Sequence, residues 1–436
     1  MGIIGIVIAI IFVIYMAMKG FNILFIAPVA SIIVIITNGM ELFPSLIGTE
    51  ASFMTGLASF IINYFSIFLL GGILASYIEN SGAAQSIAQK ILSITGTEKP
   101  FSVLIAITLI SAIFTFGGIS VFVVLFVIIP LAKPLFKQLN ISWSLIVIPL
   151  FIGIATVTMT MLPGTPSIQN IIPTNYFDTS VTAAPLMGIV ASLIAFTVGI
   201  LYMYYALNRS LKKNETFMVQ DDEENPVNLK ENIPPFYVSI LPILVLIAII
   251  FIGSALDISN IVIIGLSFAV TISAILLHRY IPSHKKTISS GCDSSIKPIF
   301  LTAASVAFGI VITLAPSFET ISNFILNFPG NSYVNFAIAT TSFSAITGSA
   351  SGGLGISLEA FADDYLELGA NPDAMHRITA IASGVFTALP HSGTILSTFS
   401  LTGLTHENAY KYSFLSVTLP NLAGLLVALI IGILFY

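Results

Sequence analysis

Charge is what this sequence has least of. Among 436 residues only 8% are Asp, Glu, Lys or Arg, while 56% are hydrophobic. Soluble domains carry about 25% charged residues, so this chain cannot cover a globular surface with charge and a water-soluble fold is excluded. Cysteine is nearly absent: Cys292 is the one copy, which excludes an internal disulfide framework. It lies in a polar stretch and reads as an inert loop residue. The net charge of −5 says little, because the side on which so few charges fall matters more than their sum. The first apolar run has neither a basic start nor a small-residue cleavage site, so a retained span is expected in place of a signal peptide. Ile6 stands where a myristoylation signal needs Ser or Thr. Nothing in the composition calls for a cofactor, a metal or a nucleic-acid partner.

What the chain has instead is long apolar runs, such as 3–18, 236–255 and 414–436. Each approaches the roughly 20 residues that cross a bilayer as a helix. The reading is an all-α polytopic membrane protein. Continuous spans fall at 3–18, 21–38, 55–78, 143–161, 182–207, 236–255, 259–279, 297–315, 376–389 and 412–435. Two more apolar segments, 101–132 and 333–362, are broken by "FTFGGIS" (114–120) and "ITGSASGG" (346–353) and read as re-entrant hairpins. With the amino terminus outside, fourteen of the 15 Lys and Arg residues fall inside and only Arg377 outside, a positive-inside signature. Both termini are then expected outside.

The polar stretch 208–235 divides the chain into two halves, 1–207 and 236–436, and reads as a cytoplasmic linker. Each half has three spans, a hairpin with a Gly/Ser tip, a span broken at "LP", and a final span. "LPGTPSI" (162–168) answers "LPHSGTI" (389–395), and "FGGISVF" (116–122) answers "SGGLGIS" (351–357). Five crossings per half is an odd number, so the second copy is expected upside down. That is the inverted-repeat plan of secondary transporters.

Backbone inside hydrocarbon must be satisfied internally unless it lines a cavity or is buried in protein. Proline removes a donor and glycine permits a turn, so four such breaks present N–H and C=O groups to something polar. Half-helix amino termini favour an anion, and unwound carbonyls favour a cation. The expected substrate site therefore comprises Gly118, Ser120, Gly164, Thr165, Ser167 and Asn170 from one half. Ser349, Ser351, Gly352, Ser392, Gly393 and Thr394 come from the other. The alternative is that small residues at these breaks only allow close helix packing. His391, placed within the membrane, suits a proton carrier; a neutral imidazole holding the break in shape is the competing reading. Glu359 and Glu79 are further proton-coupling candidates, although an acid at a helix end such as Glu79 is often only interfacial. His376 and Arg377 read as a surface pair on the outer side, and Asp178 and Asp257 as outer-loop residues.

Four phrases, "ENSGAAQSIA" (79–88), "LPGTPSIQNIIPT" (162–174), "ITGSASGGLGIS" (346–357) and "HRITAIASGVFTALPHSGTI" (376–395), lead into "LTGLTH" (401–406). Together they resemble the gluconate permease (GntP) family from about residue 65 to the carboxyl end. The resemblance implies a proton-coupled symporter importing small hydroxy- or keto-carboxylates across a bacterial inner membrane. It also implies kinship with the ion-transporter superfamily, whose members are typically homodimers in which a transport domain moves, elevator-fashion, against a fixed scaffold. Sugar-acid members tend to carry a histidine in the first broken phrase; "LPGTPS" has none. This departure puts gluconate in question and leaves a shorter acid such as 3-hydroxybutyrate open. A sodium-coupled carboxylate symporter is the nearest alternative. An intramembrane protease is the remote one, since "GSASGG" lacks the glycine that a Gly-x-Ser-Gly nucleophile phrase requires. No enzymatic activity is expected.

Overall fold

The computed structural model describes residues 2–95, 99–116, 121–165, 167–218, 232–256, 258, 260–326 and 330–436. Gly118, Ser120 and Asp257 lie outside them. Every regular element among the described residues is helical. The first half contains α1 (Gly2–Met18), α2 (Ile23–Thr37), α3 (Leu42–Ile47), α4 (Phe53–Ser81) and α5 (Ala83–Thr95). A hairpin of α6 (Pro100–Phe116) and α7 (Val121–Leu139) follows, then α8 (Val147–Ile154), α9 (Ile168–Phe177) and α10 (Pro185–Lys212). The second half contains α11 (Phe236–Ala255), α12 (Ile261–Leu276), α13 (His284–Leu314) and α14 (Pro316–Leu326). It ends with the hairpin α15 (Ser332–Thr347) and α16 (Ala350–Glu367), then α17 (Pro372–Ser383), α18 (Gly393–Thr402) and α19 (His406–Phe435).

Among the described residues six helical stretches are long and apolar enough to cross a membrane: α4, α7, Trp143–Met161, α10, α13 and α19. Large apolar side chains point outward along them and along α1, for example Ile4, Ile8 and Ile11, Leu193 and Leu201, and Ile430 and Ile433. In water such a surface would drive aggregation; in a bilayer it is the contact with lipid.

Helix lengths recur in order between the halves. α4 has 29 residues and α13 31; α9 and α18 have 10 each; α10 has 28 and α19 30. Packing partners recur too. α2 lies on α13 and α12 on α4; α5 lies on α11 and α14 on α1; α7 meets α18 and α16 meets α9.

Lipid tails are as apolar as leucine, so helix association in a membrane depends on close packing of small residues more than on the hydrophobic effect. The α4–α13 pair follows this rule. Gly56 faces Ala307, while Gly72 faces Gly291, so the two helices run antiparallel. A Cβ on Gly291 would stand 2.5 Å from the Ile73 Cα, and one on Gly56 would stand 3.2 Å from the Ala307 Cα. α10 and α19 are also antiparallel: Gly432 lies near Met187 and Gly424 near the Ala191 carbonyl.

Several boundaries differ from the sequence reading. α13 starts at His284, well before 297, because Ser283 caps it by accepting from Lys286 N at 3.4 Å. Cys292 therefore sits on a helix, packed against apolar core residues, and not in a loop. The short helices α5 and α14 carry apolar residues on one face and link each long helix to its hairpin; neither was expected. α7 continues through Pro130 and Pro134 to Leu139.

Gly291→Leu is expected to lose about 1–3 kcal/mol through overpacking against backbone that cannot yield, read as a lowered melting temperature in detergent. Gly355→Ala, where a Cβ would meet nothing within 4 Å, is expected to hold or raise it, because alanine is the better helix former.

Candidate functional site

The first break begins where α8 ends at Ile154. A single π turn, Val157–Met161, follows, closed by Leu162 N donating to Val157 O at 2.9 Å. Pro163 has no N–H to continue the ladder. Gly164 then turns with φ +81°, and its N–H donates to Val181 O at 2.9 Å. Ser167 Oγ reaches back to Met159 O at 2.8 Å, and α9 starts at the next residue. The second break runs from Gly384 to Ser392, after which α18 starts at Gly393. Its carbonyls are met by side chains of other elements. Ser305 of α13 donates to His391 O, Thr302 donates to Gly393 O at 3.1 Å, and His406 Nε2 lies 2.8 Å from Pro390 O.

The second hairpin turns at Gly348, in the left-handed region at φ +61°. A Cβ there would come within 2.9 Å of the His391 ring. The imidazole is wholly buried, with Nε2 3.3 Å from Ile346 O and Nδ1 without a hydrogen-bond partner. It packs edge-on to Phe308, ring centroids 6.4 Å apart. His391 thus wedges the broken helix against the hairpin tip.

Breaks and hairpins meet at one cavity of about 340 Å³. The first residues of four helices line it: Val121 of α7, Ile168 of α9, Ala350 of α16 and Gly393 of α18. The carboxyl ends of α6, α8, α15 and α17 reach it through Thr115, Ile154 and Ala155, Gly348, and Gly384. Each helix amino terminus carries roughly +0.5 charge and each carboxyl terminus roughly −0.5, so both signs of partial charge converge. The N-cap side chains of α9 and α18, Ser167 and Ser392, accept no hydrogen bond from their own helices, leaving first-turn N–H groups for a ligand. Phe60 and Tyr64 of α4 and Phe122 of α7 form an aromatic wall, Phe60 and Tyr64 stacked at 4.5 Å. Among the described residues no Asp, Glu, Lys, Arg or His lines the cavity.

Of the residues expected from sequence, Ser167, Ser349, Ser351, Ser392, Gly393 and Thr394 line this cavity. Gly164 shapes the turn behind it. Thr165 is buried one layer back, its hydroxyl 3.2 Å from Ser167 Oγ. The N–H of Gly352 is taken by Ser349 Oγ at 3.2 Å. Asn170 is fully satisfied by protein: Nδ2 donates to Thr165 O and Val181 O, both at 2.8 Å. Glu79 is exposed at the end of α4. Glu359 is also exposed, accepts from Tyr176 Oη at 3.1 Å and lines a separate open groove with Glu319 and Asp364.

Sequence reasoning missed Thr302, the aromatic wall and, most consequentially, the pair His376–Arg377. The expectation of a surface pair is wrong: both are 0% exposed. Arg377 Nη1 donates to Asn170 Oδ1 at 2.9 Å, Nε and Nη2 to Ala183 O at 3.2 and 3.0 Å, and Nη2 to Val181 O at 3.1 Å. His376 Nε2 lies 3.1 Å from the same Asn170 oxygen, and Nδ1 lies 2.7 Å from Thr179 Oγ1. The reversal has a local cause: the 178–184 loop leaves α9 and turns the carbonyls of Val181 and Ala183 to α17, where the Arg377 fork donates to both. A basic residue next to a histidine in an apolar run was the available signal.

Membrane-length helices interrupted around a shared cavity that their broken ends line are the architecture of a transporter. The chain belongs to the GntP family: the profile of GntP family permeases matches residues 1–434. It is 31% identical to the uncharacterized transporter YxjC of Bacillus subtilis over 94% of each chain. It is 23% identical to an uncharacterized transporter of Haemophilus influenzae over 88% of this chain and 87% of that one. Among solved structures it is similar at 14% identity to Neisseria gonorrhoeae MtrF, an example of a class of antimetabolite efflux pumps (TM-score 0.38, 88% and 84% covered). The Alcanivorax borkumensis YdaH transporter is likewise similar at 14% identity (TM-score 0.37, 87% of each chain covered).

In a Cys292→Ser background, Ser351→Cys is expected to react with a small methanethiosulfonate reagent and to be slowed at least about fivefold by a saturating small carboxylate that fills the cavity. Glu359→Cys is expected to label at the same rate with or without it. Equal protection at both positions would show that the ligand is not in the cavity.

Proposed function

We propose that this protein is a secondary active transporter importing a small monocarboxylate, with a proton as the coupling ion. The observation that carries the reading is the convergence of four helix amino termini on a cavity with no charged side chain among its described lining residues. Uncapped N–H groups and hydroxyls there can receive one carboxylate group, as helix ends do for other anions. A volume of about 340 Å³ suits a small organic acid. The aromatic wall of Phe60, Tyr64 and Phe122 opposes the hydroxyl-rich breaks and favours a short aliphatic acid such as 3-hydroxybutyrate over a polyhydroxylated one such as gluconate.

Alternating access would follow from two inverted repeats, 1–207 and 236–436. The antiparallel pairing of corresponding helices, α4 with α13 and α10 with α19, supports that inversion. In this reading α1, α2 and α4 with α11, α12 and α13 form the scaffold, and the hairpins and broken helices form the moving part. The amphipathic helices α5 and α14 serve as arms between them, lying in the interface as such helices do. The polar tips are re-entrant, and the setting is a bacterial cytoplasmic membrane. His391, alone among the three proposed proton carriers in touching a hairpin tip, is the first candidate for the coupling proton.

Sodium coupling is the second reading. It is favoured by the four helix carboxyl ends and by hydroxyls such as Thr115 and Thr387 at the same cavity, oxygen ligands that suit a hard cation. Uptake of labelled 3-hydroxybutyrate and gluconate into proteoliposomes separates the two. Proton-driven accumulation of the shorter acid, lost in His391→Gln with the fold intact, is the expected result. Accumulation driven by sodium alone would replace the proton with the sodium reading, and no accumulation of either acid would overturn the substrate class.

A further inference from the structure

Arg377 is a buried charge that forms no salt bridge among the described residues; the carboxylate that acts on it, Asp373 one turn earlier on α17, is exposed. All four of its hydrogen bonds end on neutral acceptors, the Asn170 amide oxygen and the carbonyls of Val181 and Ala183. The ion pair found among the described residues is Lys213–Glu215, which does not involve it. The carboxylates closest to this cluster along the chain, Asp178 and Asp373, are both exposed. His376, its neighbour, faces Asn170 and Thr179 and brings no negative charge. A guanidinium stays protonated at any working pH. Leaving such a charge buried and unpaired is costly, and ionisable groups inside membrane proteins are by default candidates for the substrate path.

Its position says what the missing partner is. Asn170, which accepts from Nη1, lies in the first turn of α9, whose Ser167, Ile168 and Gln169 line the cavity. Gly384, also at the cavity, is seven residues further along from Arg377, about 10 Å at 1.5 Å per residue. Within protein and lipid, a unit charge at that range acts with little screening by salt. The described lining residues of the cavity include no charged side chain to compete with it.

We propose that Arg377 is the fixed counter-charge of the bound carboxylate: a positioning and charge-selecting residue that never touches the ligand. It acts at one remove, by holding Asn170 and the 178–184 loop and by adding a full positive charge behind the amino terminus of α9. The site then discriminates an acid from an uncharged compound of the same shape. The guanidinium and the bound carboxylate also offset each other's charge in a low-dielectric surrounding. This inference rests on the carboxylate reading of the cavity.

The test compares binding of 3-hydroxybutyrate and its uncharged amide, 3-hydroxybutyramide, to purified protein by ligand-dependent thermal shift. Wild type is expected to prefer the acid by at least about tenfold, equivalent to about 1.4 kcal/mol. In Arg377→Gln the preference collapses to within about threefold because the acid weakens while the amide does not. A clamp with only a structural role weakens both compounds equally and leaves the ratio unmoved, and that result overturns the proposal. Arg377→Lys keeps the charge but not the fork of donors. Its preference is expected to persist near about pH 6 and to fall towards about pH 9, as the buried amine loses its proton while the acid stays ionised. If Arg377→Gln does not fold, this profile decides, and a preference in Arg377→Lys that follows wild type across the range overturns the proposal. Wild-type protein that binds neither compound more tightly than buffer anions removes the carboxylate reading and this inference with it. Wild-type preference that is indifferent to position 377 removes the inference alone.

Discussion

Backbone polar groups have no partner in hydrocarbon, and the rest of this structure follows from that constraint. Two of its helices break within the molecule, and the second hairpin turns there at Gly348. Each interruption releases N–H and C=O groups whose isolation would cost several kcal/mol apiece. The fold answers by bringing the interruptions together and by lending them hydroxyls from intact helices. Thr302 and Ser305 of α13 meet the carbonyls of Gly393 and His391, while Ser167 closes back on Met159. α13 can do this only because it is fixed against α4 through Gly72 and Gly291, where backbones touch without side chains between them. The polar interior and the small-residue seam are two parts of one requirement.

Some first-turn groups at the cavity remain unpaired after this internal satisfaction, and they form the proposed binding surface. The amino ends of α9 and α18 keep free N–H groups because their serine N-caps look elsewhere, Ser167 towards Met159 in the first case. An anion site made of dipoles and hydroxyls has a physical advantage for a carrier. It holds charge without a permanent salt bridge, so release does not require separating two ions in a low-dielectric medium. Arg377 fits the same logic, supplying charge from behind the first turn of α9 where no ligand can grip it.

Much of this was legible in the chain. Apolar run lengths marked the membrane-length helices, and the paired "LP" phrases with the second Gly/Ser tip located three interruptions among the described residues, because proline and glycine act on the backbone locally. Local chemistry also marked Ser167, Ser349, Ser351, Ser392, Gly393 and Thr394, which line the cavity. It could not separate them from Asn170, Thr165 and Gly352, which carry the same kinds of polar atoms but direct them into the protein. Whether a hydroxyl or amide faces a ligand or a neighbouring protein group depends on residues far away in sequence, such as Arg377 for Asn170. Glu79 and Glu359 show the same limit, since hydropathy places a carboxylate along a helix but not around it.

By itself the sequence determined that this is a multi-pass helical membrane protein of the GntP family and that the polar phrases at 162–168 and 389–395 interrupt its apolar runs. These follow from composition and from the backbone preferences of single residues, which need no tertiary partner. Only the tertiary structure decided that Arg377 and His376 are interior, that α4 and α13 run antiparallel in close contact, and that the interruptions share one uncharged cavity with an aromatic wall. Burial, pairing and convergence are properties of elements hundreds of residues apart, and no local pattern encodes which side of a helix will meet another.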